Sequence, residues 1–331
     1  MRVNRPTPPN QLRVHLAEAH DHPLVARLRE LLDESIVLTA GDISGGPRDF
    51  HILVCGTPSR EDMTASPGLH TLVIPWSGLP VKTRDLLLEF PQVRVHNIHY
   101  NAEATAETAI ALMLAAAKRL IPIDRSFRNH DWTPRYAESS SRQLAGGTAL
   151  VLGYGAIGQL IARACRGLGM NVLAVNRSGR SPDDWSVYPV TALDTLLPQA
   201  QVLQVALPRT PATDAVIGAE QLARLPDEAI VVNVSRGRVI EEATLFAELK
   251  SGRLRAGIDV WYQYPQDKSE QSHTKPSAFP FHELDNVAMT PHLAGHNTQT
   301  EENRARHLAA LLNAAAGGET VPNRVDPSRG Y

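Results

Sequence analysis

The sequence predicts an α/β protein of two domains, on three observations. The chain has 331 residues, enough for two separate cores. Short apolar runs alternate with helical patterns from end to end, the signature of parallel sheets. Near the middle, the run Thr148 to Leu152 leads into Gly153-Tyr154-Gly155-Ala156-Ile157-Gly158, a G-x-G-x-x-G turn between a strand and a helix.

In the first hundred residues, strands are predicted at residues 12–16, 35–38, 51–55, 72–74 and 93–95, with a helix over 22–32. Residues 103–120 are rich in alanine and leucine, with acids in the first turn and Lys118 and Arg119 in the last. They predict a helix, apolar on several faces, buried between the domains and ended by Pro122. Residues 123–144 form a polar excursion with Arg125, Arg128, Trp132 and Tyr136, either a surface loop or an arm on a partner subunit. Beyond the glycine turn come a helix over 159–168 and strands at 171–175, 202–207, 230–234, 256–260 and 287–290. Helices follow over 242–250 and 300–316, the last returning to the first domain, and residues 317–331 read as loop.

The glycines have separate physical tasks. Gly153 permits the tight turn, Gly155 lets a pyrophosphate approach the backbone, and Gly158 lets helix and strand pack closely. The free N–H groups at the helix start favour a phosphate. The pattern therefore points to a dinucleotide.

The net charge of −2 gives no basic field for nucleic acid or an anionic membrane. No apolar run is long enough to span a bilayer. Residues 1–11 are polar and proline-rich, without the apolar core of a signal peptide, and the two cysteines, Cys55 and Cys165, sit in apolar surroundings. A cytoplasmic protein is expected. No histidine pair has metal-ligand spacing on a helix, so no metal is expected.

Three polar residues follow predicted strands of the second domain: Arg236, Asp259 and His292. Ligands of doubly wound sheets bind at the carboxyl ends of strands. There an arginine can grip a carboxylate with its planar fork, and a histidine can carry a proton near neutral pH. The aspartate can accept a hydrogen bond from a nicotinamide amide. Beside a dinucleotide, this set suits hydride transfer.

Taken with Tyr100 to Glu107, Leu207 to Pro211, Asn233 to Gly237, Gly257 to Val260, Thr290 to Gly295 and Val325 to Pro327, these motifs resemble the D-isomer-specific 2-hydroxyacid dehydrogenases over nearly the whole chain. The resemblance implies a Rossmann doubly wound sheet inserted into a smaller flavodoxin-like α/β domain. Residues 1–100 and 298–331 would form the substrate domain, and 101–297 the dinucleotide domain. It implies a homodimer acting on a small 2-oxo acid, or on the corresponding D-2-hydroxy acid. Arg236 would bind the substrate and His292 would be the acid/base. Ser77, Gly78 and Leu79 would offer backbone N–H groups to the carboxylate, and Asn101 would stand at the cleft. The cofactor would meet Gly153, Tyr154, Gly155, Ala156, Ile157, Gly158, Asn176, Arg177, Ser178, Leu207, Pro208, Thr213, Val234, Ser235 and Asp259.

Two positions depart from the family pattern. The glutamate that usually assists the histidine is replaced by Tyr264, which can orient a ring but brings no full charge. His292 is therefore expected to titrate lower than in relatives with the glutamate. Trp76 stands where glycine is common, either narrowing the substrate site or packing the loop. At the end of the second strand of the dinucleotide domain stand Asn176, Arg177 and Ser178 instead of an acid. NADP is expected there through charge-assisted bonds to a 2′-phosphate, with NAD possible. Two alternatives follow from the missing glutamate: a formate-type dehydrogenase, and a non-catalytic dinucleotide-sensing protein.

Overall fold

A computed structural model describes residues 11–43, 49–180 and 185–330. Residues 1–10 of the polar amino-terminal stretch, and Tyr331 of the tail, lie outside them. The chain divides into two compact units, residues 1–101 with 297–331, and residues 102–296.

The first unit begins with β1 (Leu12–Leu16), α1 (Pro23–Leu31), β2 (Ile36–Ala40), β3 (Ile52–Val54), α2 (Arg60–Thr64), β4 (Thr71–Ile74), α3 (Val81–Leu87) and β5 (Arg94–Asn97). These strands are parallel, in the order β5-β4-β3-β1-β2. That is the doubly wound order of flavodoxin-like sheets. Strands β3 and β4 are buried throughout, as strands covered on both faces must be.

The second unit opens with α4 (Ala102–Lys118), α5 (Leu120–Arg128) and α6 (Thr133–Tyr136). Pro122 does not end a helix. The break falls at Arg119, in the left-handed region at φ 50°, and Pro122 sits in the first turn of α5, where a missing N–H costs nothing. Helix α4 packs on the helix Ala156–Gly167 and the strands Ile230–Asn233, Arg255–Ile258 and Val287–Met289 of its own unit. Gly257 lacks the Cβ that would come within 2.7 Å of Leu112, so helix and strand meet closely. The polar excursion carries the rest of α5 and all of α6 between irregular stretches, and these two helices bury no residue.

Next come β6 (Thr148–Leu152), α7 (Ala156–Gly167), β7 (Asn171–Asn176), β8 (Val187–Pro189), α8 (Leu193–Leu196), β9 (Val202–Val205), α9 (Ala219–Arg224), β10 (Ile230–Asn233), α10 (Glu242–Lys250), β11 (Arg255–Ile258) and β12 (Val287–Met289). The seven strands are parallel, in the order β8-β7-β6-β9-β10-β11-β12. The order reverses between β6 and β9, which makes the carboxyl ends of those strands the switch point. The short edge strand β8 escaped the sequence reading. The glycine turn belongs to α7, which starts at Ala156 and not at Gln159, because Gly155 is its N-cap.

Helix α11 (Thr300–Ala316) returns to the first unit and packs on α1 through Leu308, Leu311 and Leu312. The tail is not all loop. Strand β13 (Arg324–Val325) pairs antiparallel with β5, and so adds a sixth strand to that sheet. No helix among the described residues is long and apolar enough to cross a membrane.

Candidate active site

The glycine turn is shaped by close contacts. Gly153 has φ 102°, and a Cβ there would lie 2.4 Å from the Ala206 carbonyl oxygen at the switch point. A Cβ on Gly158 would lie 1.8 Å from the Gly153 carbonyl oxygen. Gly155 differs, for nothing lies within 4 Å of its Cβ position. The open space at the N-terminus of a twelve-residue helix is where a pyrophosphate fits. Ala156 is exposed and Ile157 half-buried there, whereas the Tyr154 ring is buried in the core. These residues thus fit a dinucleotide.

At the end of β7 the Asn176 side chain is engaged by its own loop. Its Oδ1 accepts the Ser178 and Gly179 N–H groups at 3.0 and 2.7 Å, and its Nδ2 donates to the Arg180 carbonyl at 2.7 Å. Arg177 and Ser178 are left on the surface. After β9, the Thr213 hydroxyl braces the loop of Leu207 and Pro208. It donates to the Pro208 carbonyl at 2.7 Å and accepts the Thr210 N–H at 2.8 Å.

Three loops at the carboxyl ends of β10, β11 and β12 bring the candidate catalytic residues together. Asn233 closes β10 with an Asx turn, its Oδ1 accepting the Ser235 N–H at 3.0 Å and hydroxyl at 2.7 Å. Its Nδ2 donates to the Arg236 carbonyl at 3.1 Å, which fixes the backbone of the arginine. Val234 and Ser235 are buried beneath it. A Cβ on Gly237 would lie 2.3 Å from the Trp261 carbonyl oxygen, so the first loop rests on the second. The Trp261 indole then donates to the Thr290 carbonyl at 2.8 Å, joining the second loop to the third.

Asp259 is fully buried and organises the third loop. Its carboxylate accepts from the Thr290 hydroxyl at 2.7 Å, Leu293 N–H at 2.9 Å and Ala294 N–H at 3.0 Å. Its carbonyl accepts the His292 N–H at 2.8 Å. His292 is thereby held in the left-handed region at φ 59°. Such backbone costs on the order of 1 kcal/mol or more and persists only where neighbours over-determine it. The Tyr264 ring lies 5.5 Å from the His292 ring, centroid to centroid, at 59°. The Tyr264 oxygen accepts the Trp261 N–H at 3.0 Å, leaving its own proton free to be donated.

Arg236 and His292 keep solvent-exposed surface, and the protein crowding the rest of each sets its titration. Desolvation lowers the His292 pKa, the Arg236 charge lowers it further, and Asp259 opposes both. Burial raises the Tyr264 pKa, so this residue is a neutral phenol at physiological pH. Burial also lowers that of Arg236, which nonetheless remains a cation. The trio thus offers an anion grip, a histidine tuned below its ordinary value and a neutral hydroxyl.

In the other unit, Ser77 donates its hydroxyl to Asn101 Oδ1 at 2.9 Å, and its carbonyl accepts from Asn97 Nδ2 at 2.7 Å. Ser77, Gly78 and Leu79 remain half-buried. The Trp76 ring lies over Gly56, where a Cβ would come within 1.8 Å of it, and joins that unit's core cluster. Trp76 thus has a packing contact within its unit. Sequence reasoning missed Asn97, Trp261 and Thr290, which hold the functional loops. The Asn233-Val234-Ser235 spacing did carry an Asx-turn signal. Nothing in sequence links Trp261 to Thr290.

Comparison with known proteins places the chain. Residues 110–294 match the family model for the NAD binding domain of D-isomer specific 2-hydroxyacid dehydrogenases. A D-3-phosphoglycerate dehydrogenase of Archaeoglobus fulgidus is 35% identical over 229 residues, 68% of this chain and 41% of that protein. This chain therefore spans less than half the length of that relative. A glyoxylate reductase of Korarchaeum cryptofilum is 33% identical, over 68% of this chain and 66% of that one. Among solved structures, a D-isomer specific 2-hydroxyacid dehydrogenase of Xanthobacter autotrophicus, in complex with NADPH and MES, superposes with a TM-score of 0.79 at 25% identity. That match covers 97% of this chain and 100% of the other. The chain belongs to the D-isomer-specific 2-hydroxyacid dehydrogenase family.

Proposed function

We propose that this protein is an NADPH-preferring reductase that converts small 2-oxo acids to D-2-hydroxy acids. The observation that carries the reading is the convergence of Arg236, Tyr264 and His292 at the carboxyl edge of the sheet that bears the glycine turn. The turn at Gly153, Gly155 and Gly158 holds the pyrophosphate. Exposed Arg177 and Ser178 meet the 2′-phosphate, while Asn176 shapes their loop. The bound nicotinamide supplies a hydride to the substrate C2. Arg236 grips the substrate carboxylate and polarises its carbonyl, and His292 Nε2 or Nδ1 gives the forming alkoxide its proton. The Ser77 to Leu79 backbone also serves the carboxylate, with Asn97 and Asn101 holding that loop. Asp259 acts mainly by setting His292.

The exposed side chains of Leu120, Phe127, Trp132 and Tyr136 on α5, α6 and the turn between them support a homodimer built on this arm. The free thiols of Cys55 and Cys165 support a reducing, cytoplasmic setting.

The test is oxidation of NADPH and of NADH with glyoxylate, hydroxypyruvate, pyruvate and longer 2-oxo acids, with His292→Ala as control. NADPH turnover that vanishes in the control is expected, and a preference for NADH overturns the cofactor assignment. Tyr264 in place of the glutamate favours a second reading, a dinucleotide sensor. Cofactor binding without turnover on any of these acids selects it.

A further inference from the structure

Trp261 stands two residues beyond Asp259, in the loop after β11, and is only 5% exposed. Each of its parts meets a different candidate catalytic group. Its backbone N–H donates to the Tyr264 oxygen at 3.0 Å. Its carbonyl oxygen lies 2.3 Å from where a Cβ on Gly237 would stand, so it seats the loop directly after Arg236. Its indole N–H donates to the Thr290 carbonyl at 2.8 Å, two residues before His292. The first two ties are made by backbone and survive a change of side chain. The third needs a side chain with a donor of indole length.

The ring that carries this donor is itself held. It meets Phe281 edge to face at 5.8 Å and 78°, and the fully buried Phe281 meets Phe246 in the same way at 5.2 Å. All three belong to one core cluster of the second unit. A ring in a close-packed core keeps one place, so its N–H points at one spot. Thr290 is thereby held by both of its polar ends, its hydroxyl on Asp259 at 2.7 Å and its carbonyl on the indole. Asp259 then gathers the N–H groups of His292, Leu293 and Ala294. The left-handed backbone of His292 is thus fixed from both sides, by Asp259 from the histidine onward and by Trp261 on the approach to it.

We infer that Trp261 is a positioning residue for His292. Its indole N–H fixes Thr290 and with it the imidazole, while its backbone keeps Arg236 and Tyr264 in register with that ring. In the proposed reductase this sets the proton donor against the substrate, a consequence that rests on that reading; the placing of the ring does not.

Trp261→Phe tests it, because it keeps an aromatic ring against Phe281 and both backbone ties and deletes the indole donor alone. Tyr262→Phe is the matched control. It deletes a hydroxyl that donates to the Ile240 carbonyl at 3.0 Å, from the next residue of the same loop. NMR titration of histidine-labelled protein, with the His292 signal assigned by its loss in His292→Ala, reads the ring directly. The charged and titratable groups around that ring are Arg236, Asp259, Tyr264 and His296. Released from its crowded place beside Arg236, the ring in Trp261→Phe should titrate higher, toward the ordinary histidine value. In Tyr262→Phe it should titrate as in the parent. Rates with NADPH and the best 2-oxo acid should show kcat lowered roughly tenfold or more in Trp261→Phe, with KM and NADPH affinity held, since the Arg236 loop keeps its seat. An unmoved His292 midpoint in Trp261→Phe overturns the assignment. So does an equal shift in Tyr262→Phe, which would trace the effect to the stability of the loop, and so does a KM that rises as kcat falls. A parent protein without turnover on any 2-oxo acid would refute the reductase reading, and the NMR comparison would then decide on Trp261 alone. Trp261→Met fills the same space without ring or donor and repeats the test should the phenylalanine variant not fold.

Discussion

The two units are built on the same plan and use their polar residues in opposite ways. In the second, Gln204 of β9 is the one polar side chain buried in mid-strand among the described residues, and the other polar groups gather at the strand ends and in the loops beyond them. Arg236, Asp259 and His292 each follow a strand, and hydrogen bonds from Asn233, Thr290 and Trp261 hold their loops. In the first, polar side chains lie within the strands. His15 in β1 and His96 in β5 are buried, bonded to Thr39, Gly41 and Pro322. The proposed role of the Ser77 to Leu79 loop in that unit rests on backbone N–H groups. A sheet with chemistry at its rim can be read by motif, and one that offers backbone cannot.

The sharpest test of this contrast is the exchange of one side chain in each unit. His292→Ala removes the proton donor and should lower kcat by ~10²–10⁴-fold with dinucleotide affinity unchanged. Ser77→Ala removes a hydroxyl bonded to Asn101 but no backbone N–H, and should cost less than about tenfold. Steady-state rates with NADPH, paired with fluorescence titration of the cofactor, measure both. Equal losses would end the distinction between rim side chains and backbone.

Within the second unit, glycines of one motif should part company. A Cβ on Gly158 meets the Gly153 carbonyl at 1.8 Å, so Gly158→Ala forces helix and strand apart at a cost of ~1–3 kcal/mol or more. Gly155→Ala adds a methyl to open space. Its thermal midpoint should hold while dinucleotide affinity falls. A stable Gly158→Ala protein with full affinity would contradict the close-packing account.

Acid should separate the units too. Burial lowers the pKa of His15, His70, His96 and His99 in the first unit, whereas in the second His292 is the one histidine among the described residues so lowered. A folded pKa below the unfolded value means that the unfolded chain binds more protons. The stability contributed is full above the ordinary histidine value near 6.5 and is lost as pH falls through it toward the lowered values. Every tenfold drop in a histidine's proton affinity on folding is worth about 1.4 kcal/mol once the pH lies below both values. Amide exchange at pH 7 and pH 5.5 should therefore show β1 and β5 losing protection before β6 and β9. Uniform loss would show that the buried histidines do not set acid stability.

These differences also mark what sequence could convey. Apolar runs located the main strands, because a strand covered on both faces has nothing else to be made of. The weak elements escaped. β8 and β13 are edge strands of three and two residues, too short for a periodic pattern, and α5 was hidden because Pro122 looked like a stop when it was a start. Among candidate site residues, Arg236 and His292 were legible from motif and strand-end position. The engagement of Asp259 with the Thr290 to Ala294 loop was not, for three hydrogen bonds across more than thirty residues of sequence leave no local pattern. Nor was the use of Gly56 as a seat for Trp76, which depends on two strands lying side by side.

The smallest effect concerns the tyrosine itself. Position 264 brings a phenol to the His292 ring where the family resemblance implied a carboxylate, so only Asp259 opposes the desolvation and the Arg236 charge that hold the histidine low. Reduction requires the imidazolium, so the rate should be flat in acid and fall as pH rises through that lowered value. Tyr264→Glu places a negative charge against the ring and favours the imidazolium, which should move the descending limb upward by about one pH unit. Tyr264→Phe removes only the acceptor of the Trp261 N–H and should leave the limb where it is. An unmoved limb in the glutamate variant would mean that Arg236 and burial fix the histidine whatever stands at 264. The tyrosine would then belong to substrate shape and not to proton affinity.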